Sequence, residues 1–332
     1  MPRVVAVIPQ WNRRDLLLSL LQSLAAQTRP FDEIVVADNG STDDSALVAS
    51  RAGARVLLLG QNLGFAAAVN RAIEASPADW IAILNNDVTL EPDWLAQLLT
   101  WASAHPANSD FAPQFATGKI LRAGDSKTLD GSFDEICASA CACRCGAGKR
   151  DAPVWNEPCP IRMAPMTAAL FRRELFSEVG PLDERFGSYL EDVDFGVRCA
   201  LLGRRGIYVP SAVAHHRGSS TLGKWNHSTV FLLARNQVLL ARKYFHGQPL
   251  WPILVGQLLW GWIAFRHGAG RAYLKGKLAG LRSSVVAPVS IGDKDTKQLR
   301  EVATAGEARI RSLGRQTGLD SYWRAYFWLS RR

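Results

Sequence analysis

The sequence predicts an α/β fold: a mostly parallel sheet flanked by helices, followed by a helical C-terminal extension. Three observations carry this. Over the first hundred residues, short β-branched or apolar runs alternate with segments of helical period, the pattern that builds parallel sheets. Each run ends on small polar or acidic residues. With 48% apolar and 21% charged residues over 332 positions, the chain is globular, with core enough for one large domain and an appendage or for two domains.

The elements follow in order. "RVVAVIP" is a strand, and Asn12 is placed to cap a helix over "RRDLLLSLLQSLAAQ". "DEIVVAD" is a second strand, ending on Asp38. "NGSTDDSALVASRAG" reads as a turn, a Ser/Thr cap and a helix closed by Gly53. "ARVLLLG" is a third strand, "QNLGFAAAVNRAIEAS" a glycine-containing loop entering an Ala-rich helix, and "DWIAILN" a fourth strand. A helical pattern opens again near Pro92. In parallel sheets ligands sit at the carboxyl ends of the strands. Pro9 and Asn12, Asp38 and Asn39, Asn62 and Gly64, and Asn85-Asn86-Asp87 all fall at such ends. Each cluster alone reads equally as a turn, because Asn and Asp are ordinary turn residues; four on one edge point to a binding site.

Residues 105–160 are less regular and hold "CASACACRCGAGKRDAPVWNEPC". No secretory signal is expected from "MPRVVAVIPQWN", so reduced thiols are the default. The spacing of Cys137, Cys141, Cys143 and Cys145 differs from paired C-x2-C knuckles. Thiols in a variable loop are expected there, with zinc or a disulfide as alternatives. Order resumes with an apolar segment ending at Phe171, a short helix, the loop "GPLDERFG" and a helix from about Leu190 to Leu202. The strand "GIYVP" follows, then a loop carrying His215 and His216, then the helix "STVFLLARNQVLLARKYF".

Residues 250–265, "LWPILVGQLLWGWIAF", are apolar with three tryptophans but short of the ~20 residues of a spanning helix. With "RHGAGRAYLKGK" after them they suit a helix lying in a membrane interface; a buried packing helix is the alternative. The tail reads as a charged helix, a glycine break and an aromatic segment. Residues 242–332 hold 16 basic and five acidic side chains, whereas the first 241 hold 23 and 25. A near-neutral body thus carries a basic tail. An anionic membrane surface is the expected partner. Nucleic acid is not expected, because the basic residues follow no known module and the body is not basic.

"VVAVIPQWNRRDLLLSLLQSLAAQT", "DEIVVADNGSTDDS", "QNLGFAAAVNRAI" and "NNDVTLEPDWL" resemble the N-terminal half of an inverting family 2 glycosyltransferase with a GT-A fold. "GSYLEDVDFGVRCALLGRRGIYVPSAVAHHRGSS" resembles the acceptor half. The match covers about residues 3–245, and the subgroup most similar in appearance is the bacterial rhamnosyltransferase-like set of O-antigen and cell-wall assembly. The resemblance implies a domain over 1–245, with a nucleotide-sugar half (1–104) and an acceptor half (105–245), before a basic, Trp-rich region (246–332). It implies transfer of a sugar from a dTDP- or UDP-linked donor, rhamnose from dTDP-rhamnose being the example, to a lipid-linked or polysaccharide acceptor, with Mg2+ or Mn2+. The expected location is the inner face of the cytoplasmic membrane, peripherally held. The chain departs from the family in having Gln10-Trp11-Asn12 for Thr-Tyr-Asn, and Asn85 for the first acid of Asp-x-Asp.

By the same resemblance Pro9, Asn12 and Asp38 line the nucleobase and ribose pocket. A carboxylate such as Asp38 can accept from the N3–H of uracil or thymine; a turn or cap residue is its plain alternative. Asn62, Gly64, Asn70 and Arg71 stand near the nucleotide, although a helical surface Arg is ordinary. Asn85, Asn86 and Asp87 occupy the Asp-x-Asp place, with Asp87 as the carboxylate ligand of a divalent ion that bridges to diphosphate. His216 is the second protein ligand. Asp192 is the general base and Glu191 its helper, at a helix start that also favours carboxylates on electrostatic grounds alone. A single base with in-line displacement inverts the sugar carbon without a covalent enzyme intermediate. A non-catalytic nucleotide-sugar or glycan-binding role is the alternative that Asn85 keeps open.

Overall fold

The computed structural model describes residues 1–104, 112–218, 225–283 and 293–330. The chain falls into two compact units, one of residues 1–134 and 144–218, the other of residues 135–143 and 219–332.

The first unit begins β1 (Val4–Gln10), α1 (Arg14–Ala25), β2 (Glu33–Asp38), α2 (Ser45–Arg51), β3 (Arg55–Leu58), α3 (Phe65–Glu74) and β4 (Trp80–Leu84). The four strands pair in parallel in the order β3-β2-β1-β4. β1 is buried on both faces, as its unbroken apolar run requires. Val4, Ala6 and Ile8 pack with Leu17, Leu20 and Leu24 of α1 in one core layer. After β4 come a short strand, β5 (Val88–Leu90), and α4 (Trp94–Ala104), whose Trp94, Leu95 and Leu98 join the same layer.

The region that reads as irregular in sequence holds β6 (Phe115–Arg122), β7 (Asp125–Gly131), β8 (Asp134–Ile136), β9 (Ala142–Arg144) and β10 (Cys159–Ile161). β11 (Ala168–Arg172) then lies antiparallel to both β4 and β6. After α5 (Glu174–Glu178) and α6 (Glu191–Leu201) comes β12 (Gly206–His216), eleven residues long. β12 pairs parallel with β6 and antiparallel with β10 and β5. Its register on β6 shifts between Val209 and Val213, where Gly118 meets it. A Cβ on Gly118 would lie 1.7 Å from the Ala212 carbonyl oxygen, so only glycine fits this crossing.

Three local expectations are corrected. Asn12 does not cap α1: the flanking residue is Arg13, in left-handed conformation, and the Asn12 side chain is turned to Thr42. The first N–H of α2, that of Ser45, is met by the Asp43 carboxylate rather than by Ser or Thr, because the longer acid side chain reaches forward two residues. His215 and His216 lie in β12 and not in a loop, because β5 supplies the partner that extends the strand past Pro210.

The second unit is helical: α7 (His227–Tyr244), α8 (Leu250–Arg266), α9 (Gly270–Arg282), α10 (Asp293–Thr317) and α11 (Ser321–Leu329). α7 packs mainly on α9, which places it with these helices. Gly276 and Gly280 of α9 sit so close to α7 that a Cβ would meet the Phe231 and Arg235 carbonyl oxygens at 2.3 and 2.6 Å. In α8 only Val255, Gly256 and Ala264 are buried. The glycine break and aromatic end are present as Gly318, with φ +79°, and α11.

Candidate active site

The site is built at the carboxyl edge of the parallel strands. β4 ends at Leu84, and the Asn85 N–H donates to the Thr167 carbonyl at 2.9 Å, which pins the end of β4 beside the start of β11. Asn86 and Asp87 complete the turn into β5. β5 pairs with β12 so that Val88 faces His216, and Arg217 N–H donates to the Asp87 carbonyl at 3.0 Å. Asp87 and His216, 129 positions apart in sequence, thereby become cross-strand neighbours: Asp87 Oδ1 and His216 Nε2 are 3.1 Å apart.

The other imidazole nitrogen, Nδ1, lies 2.7 Å from Asp130 Oδ2 at the end of β7. This fixes the ring and leaves Nε2 aimed at Asp87. Burial opposes a charge on His216, but the hydrogen bonds and charges of Asp130 and Asp87 raise its pKa to about 9. Burial likewise opposes the Asp130 carboxylate, yet His216 and the basic groups nearby hold it below the usual range. A carboxylate oxygen and an oriented imidazole nitrogen, half-buried and converging, are a donor pair that could hold a divalent ion. Among the described residues no group of three or more His, Cys, Asp or Glu is placed to hold a metal.

Asp192 and Glu191 open α6. The chain enters this helix through Tyr189 and Leu190, both with positive φ (71° and 67°). Consecutive left-handed conformations in non-glycine residues cost of order 1–3 kcal/mol each and cluster at functional sites. Asp192 Oδ1 accepts from Val193 N–H at 2.8 Å, and Oδ2 is 3.3 Å from Arg144 Nη2. Burial and the charge of Asp134 raise the Asp192 pKa, against the pull of Arg144. Glu191 is pushed well up by burial and by Asp192, and its Oε2 is buried without a hydrogen-bond partner. Asp194 is buried on another face and pairs with Arg198 at 3.0 Å.

The residues read as nucleotide contacts divide into two groups. Asp38, buried at the end of β2, accepts from the Ser41 N–H and hydroxyl, and Ser41 Oγ in turn accepts from Asn12 N–H at 2.8 Å. With half-buried Pro9 in β1, these residues form one stitched edge between β1 and β2. Gln10, a departure from the family pattern, receives Asn86 Nδ2 at 2.7 Å and so ties this edge to the Asn85–Asp87 turn. The second group holds the 182–190 loop that leads to Asp192. Both Asn70 Nδ2 protons are used by the Leu182 carbonyl and Glu184, and its Oδ1 accepts from Leu182 N–H. Asn70 therefore has no N–H left for a nucleotide. Arg71 pairs with Glu184 at 3.1 Å. Asn62 Oδ1 accepts from Gly64 N–H, and the Gly64 backbone approaches Gly187, which a Cβ would meet at 3.1 Å.

Asp130, Asp134 and Arg144 escape sequence reading. Asp130 and Arg144 carry no local pattern, and Arg144 is hidden inside the cysteine-rich stretch. The cysteines themselves are thiols, not disulfides, with Cys137, Cys141 and Cys145 buried.

A sheet of this topology with a carboxylate and an imidazole at a strand end, and a buried acid opening a nearby helix, is a GT-A glycosyltransferase scaffold. Its fold matches the mannosyltransferase PcManGT from Pyrobaculum calidifontis, solved with GDP-Man and Mn2+, at a TM-score of 0.53 over 98% of this chain and 86% of that one, with 19% identity. It matches GalNAc-T7, solved with UDP, GalNAc and Mn2+, at 0.60 over 78% and 51%, with 15% identity. The chain belongs to glycosyl transferase family 2, whose model matches residues 5–180; the related family group 2 model matches residues 160–287. It is 32% identical over 230 residues to an N-acetylglucosaminyl-diphospho-decaprenol L-rhamnosyltransferase of Mycobacterium tuberculosis, covering 60% of this chain and 72% of the relative. It is 28% identical over 305 residues to a pre-mycofactocin glycosyltransferase of the same species, covering 91% and 59%. The family, the rhamnosyltransferase-like kind and glycosyl transfer itself stand on these matches.

Proposed function

We propose that this glycosyltransferase is an inverting, metal-dependent enzyme that moves rhamnose from dTDP-rhamnose to a lipid-linked or polysaccharide acceptor in cell-surface glycan assembly. The observation that carries the mechanism is a pair of contact sets that start from one strand-end turn: Asp87 to His216 to Asp130, and Asn85 to Thr167, Thr167 to Arg144 and Arg144 to Asp192. Asp38, Asn12 and Pro9 hold the base and ribose. Asp87 and His216 would hold a divalent ion, Mg2+ or Mn2+, which when bound would supply positive charge against the departing diphosphate. Asp192 takes the proton from the acceptor hydroxyl as its oxygen attacks the sugar carbon and the bond to the diphosphate breaks on the opposite face. The rhamnosyl donor and a diphospholipid acceptor are supported by the name of the mycobacterial relative.

A peripheral site at the inner face of the membrane is part of this reading. No helix among the described residues is long and apolar enough to cross a membrane. α8 nevertheless exposes Leu254, Leu258, Trp262 and Phe265 on one stripe, and α9 exposes Leu274, Leu278 and Leu281. Residues 250–282 contain no acid, and Arg266, Arg271, Lys275 and Arg282 lie among these side chains. Exposed apolar side chains interleaved along the chain with cations suit an anionic bilayer.

Two experiments test the proposal. Purified protein with dTDP-L-rhamnose, Mn2+ or Mg2+ and a short-chain prenyl-diphospho-N-acetylglucosamine should release dTDP and form an inverted product. Transfer from another nucleotide sugar would displace the donor, and full turnover in metal-free buffer would remove the metal. Co-sedimentation with phosphatidylglycerol vesicles should fall in Trp262→Glu; equal sedimentation with neutral vesicles would remove the electrostatic part.

A further inference from the structure

The cysteine-rich stretch has no role in the mechanism above, yet it carries Arg144. This guanidinium is a fork between two carboxylates. Nε and Nη2 donate to Asp134 Oδ1 and Oδ2, both at 3.1 Å. Nη2 also reaches Asp192 Oδ2 at 3.3 Å, and Nη1 reaches Thr167 Oγ1 at 3.3 Å. The stem lies across Gly131, where an added Cβ would meet Arg144 Cδ and Cγ at 2.5 and 2.6 Å. Only a residue without a side chain leaves that passage open. Asp134 is buried and held by both of its oxygens, so it acts as the anchor. The planar fork of arginine allows a bidentate hold on Asp134 while one nitrogen is shared.

We infer that Arg144 is a positioning residue: anchored on Asp134, it fixes the Asp192 carboxylate in orientation and sets a positive charge against it, favouring the form that can accept a proton. The inference rests on the reading of Asp192 as general base. Asp192 feels Asp134 from β8, Arg144 from β9, its neighbour Glu191 and the backbone N–H groups of Val193 and Met166, while Asp194 acts on Glu191 and Asp130 of β7 acts on Arg144. The nearby carboxyl groups and burial favour the protonated form. Arg144 is the cation within hydrogen-bond reach of Asp192 that opposes them. An arginine beside an aspartate lowers its pKa by about one to three units, and its loss should raise the Asp192 midpoint by that amount.

The test uses the full chain and needs no substrate. An infrared titration of the carboxyl bands, wild type minus Asp192→Asn, isolates the Asp192 midpoint. Arg144→Met should raise it by about one to three pH units, and Arg144→Lys by less. Gly131→Ala, which displaces the stem and keeps the charge, should raise it too and serves if Arg144→Met fails to fold. A midpoint unmoved in a folded Arg144→Met or Gly131→Ala protein overturns the inference. In turnover of dTDP-L-rhamnose, the acid limb of the kcat/KM profile should move up by the same amount, whereas a merely structural defect lowers the whole profile in place. If Asp192→Asn keeps wild-type turnover, the base reading falls, and the infrared midpoint still decides what Arg144 does to Asp192.

Discussion

Replacing Asp130 with alanine should weaken Mn2+ binding without touching either ligand. Asp130 Oδ2 lies 2.7 Å from His216 Nδ1, and the His216 side chain is only 12% exposed. In the variant Nδ1 loses its acceptor, the ring no longer has a fixed tautomer, and Nε2 is aimed at Asp87 for only part of the time. Partners of this kind are worth 10–100-fold in metal affinity, or about 1.4–2.7 kcal/mol. The short and largely buried contact places Asp130→Ala toward the upper end. Asp130→Asn keeps one acceptor oxygen and should lose less. Free Mn2+ followed by electron paramagnetic resonance during titration reads the affinity directly. Asp87→Ala should abolish the same binding. If Asp130→Ala binds within twofold of wild type while Asp87→Ala does not bind, His216 is no ligand and the account of this triad is wrong.

Three further outcomes follow from other contacts. Asp192→Asn should lower turnover by about 10²–10⁴, the usual worth of a general base, with Mn2+ affinity unchanged; turnover above a tenth of wild type would refute that role. Asn70→Ala removes three hydrogen bonds to the 182–184 loop, two of them buried, which should cost about 2 kcal/mol in denaturant melts, and stability equal to wild type would show that the loop is held otherwise. In metal-free buffer, Asp130 and Asp87 raise the His216 pKa from its ordinary 6.5 to about 9 in the folded state. Its contribution, at most about 3 kcal/mol, is fully present below pH 6.5 and is lost as pH rises through 9. Thermal melts should show this decline, and the double variant Asp87→Asn, Asp130→Asn should flatten it.

The sequence by itself determined the parallel half of the sheet, since β1 to β4 are local apolar runs separated by helices of regular period, and periodicity is a local property. It also determined where the polar clusters lie, because a strand that stops must turn. Gly53 and Gly318 were legible as breaks for the same reason. Most of the region 112–172 was not, because β6 is set by parallel pairing with β12 and β10 and β11 by antiparallel partners far along the chain, and not by a strong local period. Tertiary structure alone decided what the polar clusters touch. β5 is three residues long and has no signal of its own, yet its pairing with β12 draws Asp87 to His216 and turns an expected loop into strand. Asn70, read near a nucleotide, is occupied by a loop 112 residues later in the chain. Arg144, buried in a cysteine-rich stretch, reaches Asp192 because Gly131 leaves room for its stem. Contacts of this kind depend on which strand lies beside which, and that is settled only when the whole chain packs.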